Sequence, residues 1–79
     1  MRIREAKVRD AQAIYNLLPE SEKMSVDAIM GMIMKKEANI FVACDFSTNI
    51  LACSMDSERI YVSSTCADTS VADELKKQY

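Results

Sequence analysis

An α+β domain is what this sequence predicts: a mostly antiparallel sheet with helices packed on it, its elements in the order β-α-α-β-β-β-α. Three observations carry that expectation. Apolar residues recur at helical spacing through residues 8–34, and from Asn39 the period changes to that of strands. Pro19 divides the helical part in two, because it cannot donate the next backbone hydrogen bond. A last stretch, from Ser70, returns to helical spacing behind a capping pattern.

Each element has its own signature. Residues 1–7 (MRIREAK) alternate loosely, with Ile3 between Arg2 and Arg4, as suits a short edge strand. In residues 8–18 (VRDAQAIYNLL), Ala11, Ile14, Leu17 and Leu18 share one helical face, and Asp10 sits in the first turn, where a negative charge complements the helix dipole. A polar linker, residues 20–23, leads to Ser25, an N-cap for a second helix, with Met24 placed to staple against Ile29. Val26, Ile29, Met30, Ile33 and Met34 recur on that helix as a core stripe, while Asp27, Gly31 and Lys35 take the other side and Met32 makes that side less than fully polar.

The strands follow. Residues 40–44 (IFVAC) form a short apolar run that implies cover on both sheet faces. Residues 46–49 make the turn, and residues 50–55 (ILACSM) return as the second arm. Asp56-Ser57-Glu58 turn the chain into a third arm, residues 59–66 (RIYVSSTC), with Ile60 and Val62 on one face and Tyr61, Ser63 and Thr65 on the other. In the tail, Ser70-Val71-Ala72-Asp73 matches the capping pattern [ST]-x-x-[DE], and Val71, Leu75 and Tyr79 share a face. There are no internal repeats, low-complexity runs or boundaries, so residues 1–79 read as a single small domain.

Composition narrows the function. Ten cationic and twelve anionic residues give a formal net charge of −2, too balanced for a polyanion binder or a strongly charged DNA mimic. The 49% apolar share is that of a folded chain. A chain of 79 residues buries only about 60% of its unfolded surface, which makes dimerisation or docking on a partner an expected source of stability. Cys44, Cys53 and Cys66 stand in no CxxC and there is no histidine, so a structural zinc site lacks ligands. They read as reduced thiols filling apolar space in a cytoplasmic protein, with a Cys44–Cys53 pair across the hairpin left open. No signal peptide and no membrane-length apolar stretch is visible.

Residues 3–14 (IREAKVRDAQAI) resemble the opening of the GNAT acyltransferase family, in which a first strand ends "IR-x-A" and an "ED-A-x-x-I" run starts the first helix. Phe41-Val42-Ala43-Cys44-Asp45 looks like the second strand of that family, and Ile50-Leu51-Ala52-Cys53 stands where an "IVG" start is common, with Ala52 in place of the glycine. Residues 59–67 look like its fourth strand. The resemblance covers most of the chain but only the N-terminal half of the family, and implies a truncated GNAT-like fold. After the fourth strand these enzymes carry a [QR]-x-x-G-x-[GA] loop whose backbone N–H groups hold the pyrophosphate of acetyl-CoA. Asp68-Thr69-Ser70-Val71-Ala72 has no glycine and sets Asp68 and Asp73 where they would repel phosphate. The junction reads as a self-capped helix start, and no cofactor is expected.

The chemistry is sparse. Without histidine, the usual general bases and triads are missing. Tyr15, Tyr61 and Tyr79 are conceivable acids but fit partly buried amphipathic positions equally well. Glu58 begins a strand where some GNAT enzymes carry a glutamate base, yet it sits in a solvated turn. Ser63, Ser64 and Thr65 read as a hydroxyl stripe on the sheet surface. Arg2, Arg4, Lys7 and Arg9 form a basic cluster without the interleaved aromatics of nucleic-acid modules, and read as a solvated edge. No catalytic or metal-binding residue is expected.

The positive expectation is geometric. In a truncated GNAT-like sheet the strand bearing Arg59, Ile60, Tyr61, Val62 and Ser63 loses its downstream neighbour and exposes an edge that can take a strand from another protein or a second copy. The competing arrangement has the last helix fold back over that edge. The expected function is a non-enzymatic interaction protein that binds and inhibits a macromolecular partner, of the size seen among phage and mobile-element regulators. The alternatives are an acyltransferase with an atypical or dimer-shared acetyl-CoA site and an oligomerising structural subunit. A protein partner or self-association is expected, with no nucleic acid and no membrane.

Overall fold

A computed structural model describes residues 2–36, 38–47, 49–66 and 70–79. Strands β1 (Arg2–Glu5), β2 (Phe41–Cys44), β3 (Ile50–Ser54) and β4 (Ile60–Val62) form one antiparallel sheet in the order β1-β2-β3-β4. Helices α1 (Ala11–Leu17) and α2 (Val26–Lys35) lie between β1 and β2 in the chain, and α3 (Val71–Lys76) follows β4. The expected element order is present, with an additional 3₁₀ turn at Glu20–Glu22 in the polar linker.

The sheet is covered on both faces, as the apolar run of β2 requires. Ile40, Val42, Cys53 and Met55 meet Ala11, Ile14 and Leu18 around the first helix and Ile29 of α2 on one face. Ala43 and Ala52 meet Val71 and Leu75 of α3 on the other, with Ile3, Phe41 and Ile60 at the margin. Alternate residues of a strand point to opposite faces, so Val42 and Ala43 sit in different cores. A bulge steps the register from Ala43↔Ala52 to Cys44↔Ile50, making Leu51 the extra residue and bringing Ile50 to the α1–α2 face with Cys53.

That register separates two cysteines that the hairpin was expected to allow as a pair. Cys53 stands opposite Val42 and Cys44 opposite Ile50, and no disulfide joins them. Both are buried, while Cys66 is only half-buried at the edge of the α3 core. Burial pushes the Cys53 thiol up to about 12.

The first helix is broken where a continuous one was expected. Val8–Asp10 form a 3₁₀ turn before α1 begins. The cause is Asp10, whose role exceeds dipole complementation. Its carboxylate accepts a backbone hydrogen bond from Lys7 N–H at 2.7 Å and two from the Arg4 guanidinium at 2.7 and 3.1 Å. Burial would raise the Asp10 carboxyl, but these hydrogen bonds, with the charges of Arg4 and Arg9, outweigh it and hold it below the ordinary range. Arg4 therefore leaves the solvated edge expected of the basic cluster and ties β1 to the start of α1.

In α2 the Ser25 side chain accepts from Ala28 N–H at 3.1 Å, the expected N-cap, and Met24 and Ile29 share the core. The stripe shifts by one residue at its end. Met34 is 68% exposed, whereas Met32 packs against the core. At about 100° per residue, Met34 lies roughly 140° around the helix from buried Ile29 and Met32 only about 60°.

The capping pattern expected at α3 is not used. Ser70 precedes the helix in a helical conformation, and its side chain makes no cap hydrogen bond. Val71 and Leu75 are buried as expected. Tyr79 turns back instead: its hydroxyl donates to the Asn39 carbonyl and meets the buried Ser54 hydroxyl at 3.0 Å, and its ring stands edge-on to Phe41 at 5.5 Å. No described helix is long and apolar enough to cross a membrane.

Candidate functional site

Among the described residues β4 pairs with β3 alone, so it forms one edge of the sheet and β1 the other. It is shorter than residues 59–66, because the chain turns away from the sheet after Ser63. Thr65 N–H donates to Ser63 Oγ at 3.2 Å, the two hydroxyls lie 2.9 Å apart, and Cys66 N–H donates to the Ser63 carbonyl at 3.0 Å. Local hydroxyl-to-backbone bonding of this kind competes with a ladder. The expected hydroxyl stripe is thus a turn that closes on itself.

The hydrogen bonds of β4 define which groups point outward. Met55 N–H donates to the Arg59 carbonyl at 2.9 Å and Ser63 N–H to the Leu51 carbonyl at 2.8 Å, while Tyr61 stands opposite Cys53 between them. In an antiparallel pair such residues alternate, so Arg59, Tyr61 and Ser63 aim their backbone at β3, and Ile60 and Val62 aim theirs away. The α3 helix packs on the sheet face against Ala43 and Ala52 and also meets β4, at Ile60.

The five residues singled out on this strand therefore separate by role. Val62 is 42% exposed and Ile60 half-buried on the α3 face. Tyr61 turns to the other face, where it packs against the α1–α2 core and donates its hydroxyl to Glu22 at 2.6 Å. Desolvation and that carboxylate push the phenol up to about 12. Arg59 is drawn back into the preceding turn by Asp56 at 2.7 Å, whose carboxylate also accepts the backbone N–H of Glu58 and Arg59. Ser63 closes the turn already described. Ile60 and Val62 are left as the groups a new strand would meet.

Other candidate chemistry resolves into structure. The Tyr61 and Tyr79 hydroxyls are held by protein acceptors, and the Tyr15 ring carries the Lys23 ammonium 4.8 Å from its centre. Glu58 is exposed in the Asp56 turn. Residues 67–69, including Asp68 at the junction between β4 and α3, lie outside the described residues. The single glycine, Gly31, is in α2.

A feature that sequence reasoning passed over lies at the opposite edge. Arg2, Arg4, Lys7 and Arg9 line a cleft of about 350 Å³ with Cys44, Asp45 and Phe46. The signal was present as a basic cluster, but only the β1–β2 pairing carries residues 44–46 to it, through Arg2↔Cys44.

No protein-family model and no curated relative matches this sequence. A solved structure does: the GNAT superfamily phosphinothricin acetyltransferase (Pat) from Sinorhizobium meliloti, in complex with AcCoA. The TM-score is 0.71 at 14% identity, over 98% of this chain and 56% of the other. The chain thus spans about half the length of that acetyltransferase, and at this identity the likeness is one of fold. The four-stranded antiparallel sheet with its three helices is a GNAT-like fold, as the strand and helix openings of the sequence implied.

Proposed function

We propose that this protein is a non-enzymatic interaction module, which binds an extended segment of a protein partner along β4 and can thereby inhibit it. The observation that supports the reading is the backbone of Ile60 and Val62, aimed away from β3, the one strand with which β4 pairs among the described residues. A partner strand would gain main-chain hydrogen bonds there and side-chain contact with Val62. The absence of glycine at residues 68–72 adds support, since a pyrophosphate needs close backbone approach.

Val62→Pro tests it. The Val62 N–H makes no bond to β3, so proline at this edge position leaves the sheet paired but removes a donor that a partner would use. The folded variant should lose association in a pull-down and in size-exclusion chromatography with light scattering. Val62→Lys, which guards an edge without constraining the backbone, should do the same. Unchanged association in either folded variant would sink the reading. If the lost partner is a second copy of this chain, the protein is an oligomerising subunit.

A second reading, acyl transfer, draws on the fold's likeness to an enzyme in complex with AcCoA. Thermal unfolding with excess acetyl-CoA separates the two: saturation at about 100 times Kd adds roughly 2.7 kcal/mol, and no shift is expected here.

A further inference from the structure

We propose that the cleft beside β1 binds a small organic phosphate that carries a planar ring, with the phosphate on Arg2, Lys7 and Arg9 and the ring on Phe46. The first ground is how the charges are committed. Both Asp10 oxygens are taken up by Arg4 and the Lys7 backbone. Asp45 accepts Ser47 N–H at 2.9 Å and Asn49 N–H at 3.0 Å in the β2–β3 turn. Arg4 is thus neutralised in place, while Arg2, Lys7 and Arg9 form no ion pair with any described carboxylate. These three cations converge on one concavity, where an anion can be held by several charge-assisted hydrogen bonds.

The second ground is Phe46. Its side chain is 99% exposed on the hairpin turn, touching the cleft but no core. An apolar ring left in water at the rim of a basic cleft offers the stacking face that a heteroaromatic ring needs. The third is size and overall charge. A cleft of about 350 Å³ is at the small end of ligand pockets. The chain as a whole carries a net charge of −2, so a long polyanion would meet repulsion beyond the cleft. A single small phosphate ester would not.

Adenosine monophosphate and inorganic phosphate are the probes, titrated into the full chain and followed by amide chemical shifts. Adenosine monophosphate should move the amides of Arg2, Arg9, Asp45 and Phe46 and leave those of β4 unmoved. Arg2→Gln with Arg9→Gln should weaken it about tenfold or more, as expected for lost hydrogen bonds to a charged group. Phe46→Ala should weaken it about tenfold through lost stacking while leaving inorganic phosphate unchanged. The proposal is overturned by absent shifts at millimolar ligand, by shifts centred elsewhere, or by inorganic phosphate binding as tightly as the nucleotide.

Discussion

Replacing Asp10 by alanine removes the acceptor of three N–H donors, two from Arg4 and one from the Lys7 backbone, at a position only 5% exposed. Breaking one side of a buried ion pair costs about 3–5 kcal/mol, because the other side is left without its partner. The Arg4 side chain is 19% exposed and can turn to water, which places the expected loss at the lower end, about 3 kcal/mol. In a domain of this size each kcal/mol shifts Tm by about 4–8 °C, so a fall of roughly 12–24 °C is expected. Asp10→Asn keeps an acceptor for Lys7 N–H but loses the charge, and should cost about half as much. Chemical and thermal unfolding of both variants, with Arg4→Met as the second arm of a double-mutant cycle, measures these terms. A loss within about 1 kcal/mol, the range of an exposed pair, would refute the reasoning, as would equal losses for alanine and asparagine. The pH dependence has a definite sign. The folded-state pKa of Asp10 lies below its ordinary 3.8, so its contribution is complete above that value and disappears as pH falls through the lower folded pKa. Part of the acid sensitivity of the wild type below about pH 4 should therefore be missing in Asp10→Asn.

Three further outcomes follow from single positions. Gly31→Ala should raise stability by about 0.5–1 kcal/mol in a denaturant titration, because the added methyl meets nothing within 4 Å and the helix gains propensity. Native protein at pH 8 should leave Cys53 unmodified by a thiol reagent, its thiol being fully buried and pushed up to about 12, while half-buried Cys66 reacts first; mass mapping of labelled peptides decides it. Tyr79→Phe keeps the edge-on contact with Phe41 but loses the hydroxyl shared by Asn39 and Ser54, and should cost about 1–2 kcal/mol by thermal unfolding.

Much of the fold is legible in the order of periods along the chain. The change at Asn39, the stop at Pro19 and the Ser25 cap each report a local preference, and local preferences survive into the structure where no tertiary contact opposes them. The error at Asp10 falls where one did. Asp10 looked like a helix-dipole residue because only the fold brings Arg4, six positions away on a strand, against its carboxylate. Ser70 matched a capping pattern, yet its side chain makes no cap hydrogen bond to α3. The candidate edge was legible as a strand, but its length was not, since after Ser63 the chain enters a turn that the same hydroxyl-rich sequence favours.

By itself, then, the sequence determined the element order, the two-sided burial of β2 and the likeness to a GNAT opening, because hydrophobic period and caps act over a few residues. How far the edge strand β4 runs, which thiols face each other and where the spare cations gather depend on register and sheet order. Those are set by pairing between residues some forty positions apart, such as Arg2 with Cys44, and a one-residue bulge at Leu51 is enough to change which face a side chain meets. The outward backbone of Val62 and the basic cleft under Phe46 are products of that pairing, and no local pattern contains them.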